Sequence, residues 1–165
     1  MDHLFRSPTG AWQRVSPRLA TVRRWLLLGW VVVALVAVLV VLMAVDRLPP
    51  AWVVVVALLL VAAATAAGWW GVGRTVARWG YAEEQEELLI VRGAVFRRLV
   101  VVPYGRMQYV DVAAGPLDQL VGIAKVHLHT ASPGTTAVIP GLPAEEAARL
   151  RDRLTALGES QAAGL

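Results

Sequence analysis

The chain of 165 residues contains no cysteine, which removes disulfides, thiol catalysis, iron–sulfur clusters and cysteine-based zinc sites together. The same absence fits a reducing compartment. No glycine-rich phosphate loop, serine elbow or H-E-x-x-H motif occurs. Charge is also missing from two long stretches. Trp25–Val45 reads WLLLGWVVVALVAVLVVLMAV, and Trp52–Trp70 reads WVVVVALLLVAAATAAGWW after a short break at DRLPP. Each is about 20 residues long, enough for a helix to cross a bilayer core. A transporter or channel places ionisable or strongly polar groups at the midplane. These spans offer only Thr65 as a hydroxyl. Two uncharged helices joined by a short turn are expected to form a membrane anchor that leaves both chain ends on one side.

The first span is not expected to be a cleavable signal peptide. Its apolar run is too long for an h-region, and no small-x-small site precedes the polar break. Pro49 and Pro50 end the first helix, since proline cannot continue a helix interior. Trp25, Trp30, Trp52, Trp69 and Trp70 stand at or near span ends, where an indole suits the interface. Ala63, Ala64, Ala67 and Gly68 give small-xxx-small spacing for close helix approach. Packing of the hairpin's own two helices is the expected use, with self-association as the alternative.

Basic excess is absent where a nucleic-acid interface would need it. Residues 1–75 carry seven arginines against Asp2 and Asp46, while residues 76–165 hold nine basic and ten acidic side chains. The net charge of +4 therefore belongs to the membrane flank. Arg6, Arg14, Arg18, Arg23 and Arg24 precede the first span, and Arg74 and Arg78 follow the second. The bias places both termini in the cytoplasm of a cell-membrane protein. The same arginines also suit anionic headgroups. Residues 1–24, broken by Pro8, Gly10 and Pro17, are expected to carry no packed core.

After the hairpin (25–73) the pattern shifts to alternation, so 74–158 reads as a separate domain, with a tail at 159–165. TVARWGYA is expected to be a strand leaving the membrane, followed by an acidic turn at Glu83, Glu84, Glu86 and Glu87. LLIVRG and AVFRRLVVVPY meet at Arg92-Gly93, a hairpin signal. RMQYVDVAA, IAKVHLHTA and TTAVIP supply further strands. GPLDQLVG forms a short helical turn, and Ser132-Pro133-Gly134 a tight one. Pro143 opens a helix with Ala147, Leu150, Leu154 and Leu157 on one stripe, ending at Gly158. The expected domain is α+β: a small antiparallel β-barrel or sandwich capped by a C-terminal helix.

Three segments, ELLIVRGAVFRRLVVVPYGRMQYVDV, GPLDQLVGIAKVHLHTA and AVIPGLPAEEAARLRDRL, carry a resemblance to the bacterial pleckstrin-homology (PH) membrane proteins of the YdbS-like group. The shared features run in order: Arg92-Gly93, Arg97-Arg98, Pro103, Arg106-x-Gln108-x-Val110, Pro116-Leu117, Leu120-x-Gly122-Ile123-Ala124 and Gly141-Leu142 before the helix. The resemblance covers about residues 75–157. It implies a PH-like barrel with a capping helix and no enzymatic activity.

Phosphoinositide sites of PH folds use Lys and Arg on the first hairpin. Four carboxylates between Glu83 and Glu87 occupy that turn here and repel phosphate. His127 and His129 share a strand face but lack a third ligand, so no metal or cofactor is expected. The acidic turn reads as solvated. The leading expectation is a non-enzymatic module acting through protein–protein contact, with other membrane proteins or with itself, along exposed strand edges. The rival is a sensor of anionic membrane lipids. It would use Arg14, Arg18, Arg23 and Arg24 together with Arg97 and Arg98. Neither nucleic acid nor a small-molecule substrate is expected as a partner.

Overall fold

The computed structural model describes residues 12–44, 49–130 and 137–163. Two compact units arise, one spanning Ala20–Arg74 and the other combining Thr75–Leu165 with the described residues up to Leu19. The expected turn at 132–134, the loop charges Asp46 and Arg47, the span end Val45 and the far N-terminal Arg6 fall outside the described residues.

The first unit is built from helices α1 (Arg18–Ala44) and α2 (Ala51–Ala77), 27 residues each. At a rise of 1.5 Å per residue each is about 40 Å long, more than a bilayer's hydrocarbon core requires. Both are long and apolar enough to cross a membrane. Side chains such as Leu60 and Val40 are 65% and 60% exposed, a costly arrangement in water and the normal one in lipid. Gly68 faces Leu27, whose Cδ1 would lie 2.7 Å from an added Cβ. The small-residue stripe therefore serves the hairpin's own packing at this point. Thr65 donates back to the Val61 carbonyl at 2.7 Å, so the lone hydroxyl is satisfied within its helix.

Both helices exceed the apolar runs. Ser16 and Pro17 start α1 well before Trp25: the Arg18 N–H bonds to Ser16 Oγ at 3.3 Å and the Leu19 N–H to the Ser16 carbonyl at 3.1 Å. Serine before proline is a strong helix start. At the other end, residues 74–77 continue α2 instead of opening a strand. Nothing in RTVA breaks a helix, and the turn closes only when the Arg78 and Trp79 N–H groups bond to the Thr75 and Val76 carbonyls.

The second unit holds a four-stranded sheet, in the order β1 (Gln13–Arg14), β2 (Gly80–Glu83), β3 (Glu87–Arg92) and β4 (Arg98–Pro103). A three-stranded sheet follows, with β5 (Met107–Ala113), β6 (Ile123–Thr130) and β7 (Ala137–Pro143) in that order. A short 3-10 turn at Tyr104–Arg106 links the sheets, and helix α3 (Pro116–Leu120) joins β5 to β6. All pairings are antiparallel. β4 and β5 do not pair, so among the described residues the strands form two open sheets and no closed barrel. Leu88, Ile90, Val126, Leu128 and Ile139 fill the core from the two sheets.

Helix α4 (Ala144–Ala163) closes that core with Ala147, Leu150 and Leu154 fully buried. It runs past Gly158, the expected stop. That glycine lies against β5 and the 3-10 turn, with Met107 Cε and the Tyr104 carbonyl both 3.9 Å from where a Cβ would be. An added Cβ would make only ordinary contact there, and α4 continues through the glycine to Ala163. The segment before α1 also departs from expectation, because β1 extends the sheet and Val15 and Leu19 are buried. Leu19 sits on Gly141, whose φ of +71° and lack of a side chain make room for it: a Cβ there would stand 2.7 Å from that of Leu19. The Ser16 N–H bonds to the Gly141 carbonyl at 2.8 Å.

Candidate functional site

Strand register sorts the charges of the first sheet by sign. Gly80 pairs with Val91, Val91 with Leu99, and Arg92 with Arg98, so Arg92, Arg97 and Arg98 lie at the end where β2 begins. Arg14 joins them by pairing with Gly80. Arg78 precedes the same strand and donates to the Ala94 carbonyl from Nη1. At the opposite end Glu83 pairs with Leu88 and Glu87 with Pro103, so the acidic turn is a full strand length away. The sheet is a dipole, basic where the chain leaves α2 and acidic at the far end.

An open cleft of about 450 Å³ lies at the basic end, between Trp12, Arg14, Arg78, Trp79, Gly80 and Arg97. Three guanidiniums and two indoles converge there, and no acidic side chain lines it among the described residues. Guanidiniums give paired donors for phosphate oxygens, while indoles suit the region between headgroup and acyl chain. At Gly80 an added Cβ would stand a tight 3.2 Å from the Gln13 carbonyl oxygen.

The arginines singled out from the sequence divide. Arg14 and Arg97 enter the cleft, and Arg98 stands at the same sheet end. Arg18 instead donates from Nη1 to the Val121 carbonyl at 3.1 Å. Arg24 lies 4.6 Å over the ring of Trp69 within the hairpin, and Arg23 is half-buried on α1. Sequence reasoning missed Trp12, Arg78 and Trp79 as members of a site. The available signal was a Trp within two residues of an Arg on each side of the spans, with Trp12 and Trp79 each immediately before a strand.

The acidic end is structural. The Glu83 side chain is only 6% exposed and meets Arg149 at 2.7 Å and Arg153 at 3.1 Å, both from α4. This corrects the expectation of a wholly solvated turn. Arg149 also pairs with Glu146 at 2.6 Å, and the Tyr81 hydroxyl lies 2.8 Å from Glu146 Oε1. Tyr104 donates to the Glu84 carbonyl at 2.9 Å. The two Arg149 bonds hold the Glu146 carboxyl below its ordinary value of 4.5. Burial, reinforced by Glu146, pushes the Tyr81 hydroxyl well up. Burial with the nearby charge of Glu83 raises Tyr104 to about 12.

These directions predict a pH profile. Both tyrosines favour their protonated form when folded, so their contribution is intact below about pH 10 and lost as pH rises toward the folded values. Glu146 behaves oppositely, contributing above its unfolded pKa and losing that contribution as pH falls through the folded one. The melting temperature of the full chain in neutral detergent is thus expected to be flat near neutrality and to fall between pH 10 and 12. A Tyr104→Phe variant should flatten part of the alkaline fall.

His127 and His129 lie half-buried on β6. The His129 ring stacks on Tyr109 at 4.1 Å between centroids, with Nε2 3.8 Å from an Asp111 oxygen. Among the described residues no group of three metal-ligating side chains assembles.

A family model described as a bacterial PH domain matches residues 19–157. The UPF0699 transmembrane protein YdbS of Bacillus subtilis (strain 168) is 39% identical over 79 residues, which is 48% of each chain. The matched stretch thus spans about half the length of that curated relative. No solved structure matches.

Proposed function

Because the chain belongs to the bacterial PH domain family, we propose that it is a non-catalytic module, anchored by its two apolar helices, that senses anionic lipid in its own membrane. The carrying observation is the sorting of charge along the first sheet, with its arginine–tryptophan cleft at the end continuous with α2. An anionic surface attracts that end and repels the acidic one, so the domain is oriented as well as bound. The arginines flanking both spans favour a cytoplasmic position for the domain and both termini. The acidic hairpin turn remains unsuited to phosphate, so the lipid site lies at the opposite end of the strands from the usual PH hairpin.

The test is calorimetric titration of short-chain phosphatidylglycerol into the full chain in neutral detergent, across a salt series. Exposed charges interact over a Debye length of about 10 Å at 0.1 M salt and about 3 Å at 1 M. Binding is therefore expected to weaken steeply between those concentrations, with short-chain phosphatidylcholine binding weakly throughout. Equal, salt-independent binding of both lipids would remove the reading.

A second reading, protein–protein contact, rests on β4. It is an edge strand with the run Leu99–Val102, and Val101 is 45% exposed. An apolar edge accepts another strand. Complexes formed this way would persist at high salt in the same titration series.

A further inference from the structure

We propose that the β3–β4 tip, Gly93–Arg97, inserts Val95 and Phe96 into the interface of the bilayer that carries the helical hairpin. Phe96 is 90% exposed and Val95 85%, more than any other large apolar side chain described, including those of the spanning helices. A turn tip ordinarily carries small or polar residues, so two bare apolar groups at this position require a partner. Basic residues bracket the turn, Arg92 before it and Arg97 and Arg98 after it, and Arg92 pairs with Arg98 at its base.

The tip is held in shape. Gly93 has φ +101°, and a Cβ there would collide with the Phe96 carbonyl oxygen, so the chain folds back tightly over a residue only glycine can provide. Arg78 fixes the turn from below by donating to the Ala94 carbonyl. That bond joins the tip to the residue immediately after Ala77, where α2 ends. Ala77 and Gly80 are three Cα steps apart, at most about 11 Å. The chain therefore leads within three residues from the end of α2 into this end of the sheet. An apolar pair ringed by guanidiniums fits a lipid surface, with phosphates meeting the arginines and the rings passing below them. A protein partner would be expected to supply carboxylates to that ring and has no such guarantee of proximity.

The inference rests on the lipid reading above but concerns a different part of the lipid, the glycerol and upper acyl region. It accounts for why a bilayer, and not a soluble phosphate compound, is the ligand. Glycerol phosphate has no apolar layer for Phe96 and Val95, and is expected to bind the cleft without engaging the tip.

The absence of cysteine allows a direct test. The full chain carrying Phe96→Cys, spin-labelled, is reconstituted in phosphatidylcholine bilayers with and without phosphatidylglycerol. Collision with oxygen and with a water-soluble nickel chelate then reports depth. Leu120→Cys, at a site 76% exposed on α3, is the comparison. The expected result is oxygen access with loss of nickel access at position 96, and the reverse at 120. Adding Val95→Ser is expected to restore part of the nickel access. Nickel access at 96 equal to that at 120 overturns the insertion. So does a label shielded from both reagents with spin–spin broadening, which would place the tip against a second copy. If the label stays in water while phosphatidylglycerol still binds by calorimetry, insertion fails and the cleft stands. If neither occurs, both fail.

Discussion

Changing Arg14, Arg78 and Arg97 together to glutamine is expected to weaken phosphatidylglycerol binding by roughly 150-fold, taking about 1 kcal/mol for each basic residue near an anionic surface. The three line one cleft from three different segments, β1, the exit of α2 and the β3–β4 turn. Their charges add there because no carboxylate lines the cleft among the described residues, and the acidic Glu83 lies at the far end with Arg149 and Arg153. Glutamine keeps a hydrogen-bond donor and removes only the charge, which isolates the electrostatic part. Arg151→Gln is the comparison, since Arg151 is already paired with Asp152 at 2.7 Å on α4. Removing that charge should leave binding within twofold of the parent. Titration of both variants across the salt series separates the cleft from the arginines of the hairpin, whose contribution remains in each. A triple variant that binds as tightly as the parent would assign the lipid preference to the hairpin flank.

Much of the architecture is legible in the sequence because it rests on pattern. Uncharged runs of 21 and 19 residues, the Arg92-Gly93 turn and the stripe of Ala147, Leu150 and Leu154 are each a local signal that physics enforces. Errors fall where one residue type serves two purposes. Gly158 resembles a helix stop, yet α4 runs through it to Ala163, because an interior glycine weakens a helix without ending it. Thr75-Val76-Ala77 resembles the start of a strand, yet helix continues until hydrogen bonds close at Arg78 and Trp79. The cleft was half visible. Arg14 and Arg97 stood out as basic residues near a membrane, but they are 83 positions apart, and only the pairing of Arg14 with Gly80 and of Gly80 with Val91 brings them together. The apolar tip carried the clearest neglected signal: Ala-Val-Phe between Arg-Gly and Arg-Arg places hydrophobic residues where a turn should be polar.

Leu150→Ala is expected to cost the domain about 3 kcal/mol, within the usual range for deleting a fully buried leucine. Leu150 is completely buried, one turn from Leu154 on the face that α4 turns to the sheets. For a domain of this size that loss corresponds to a fall of roughly 15 °C in melting temperature. Near-UV circular dichroism of the full chain in neutral detergent reads it. Five of the seven tryptophans belong to the hairpin, so Trp12 and Trp79, with Tyr81 and Tyr104, carry the domain's own signal. Two comparisons set the scale. Leu157→Ala, half-buried at the end of the same stripe, should lose less than half as much, and Leu120→Ala, 76% exposed, should be near neutral. The surface ion pairs from α4 to Glu83 cannot substitute for the lost packing, because Arg149 and Arg153 are themselves 42% and 56% exposed and screened by solvent. Helix α4 is therefore held by its apolar stripe and positioned by its arginines. A Leu150→Ala domain that melted with the parent would mean that α4 docks through its ionic contacts, reversing that order.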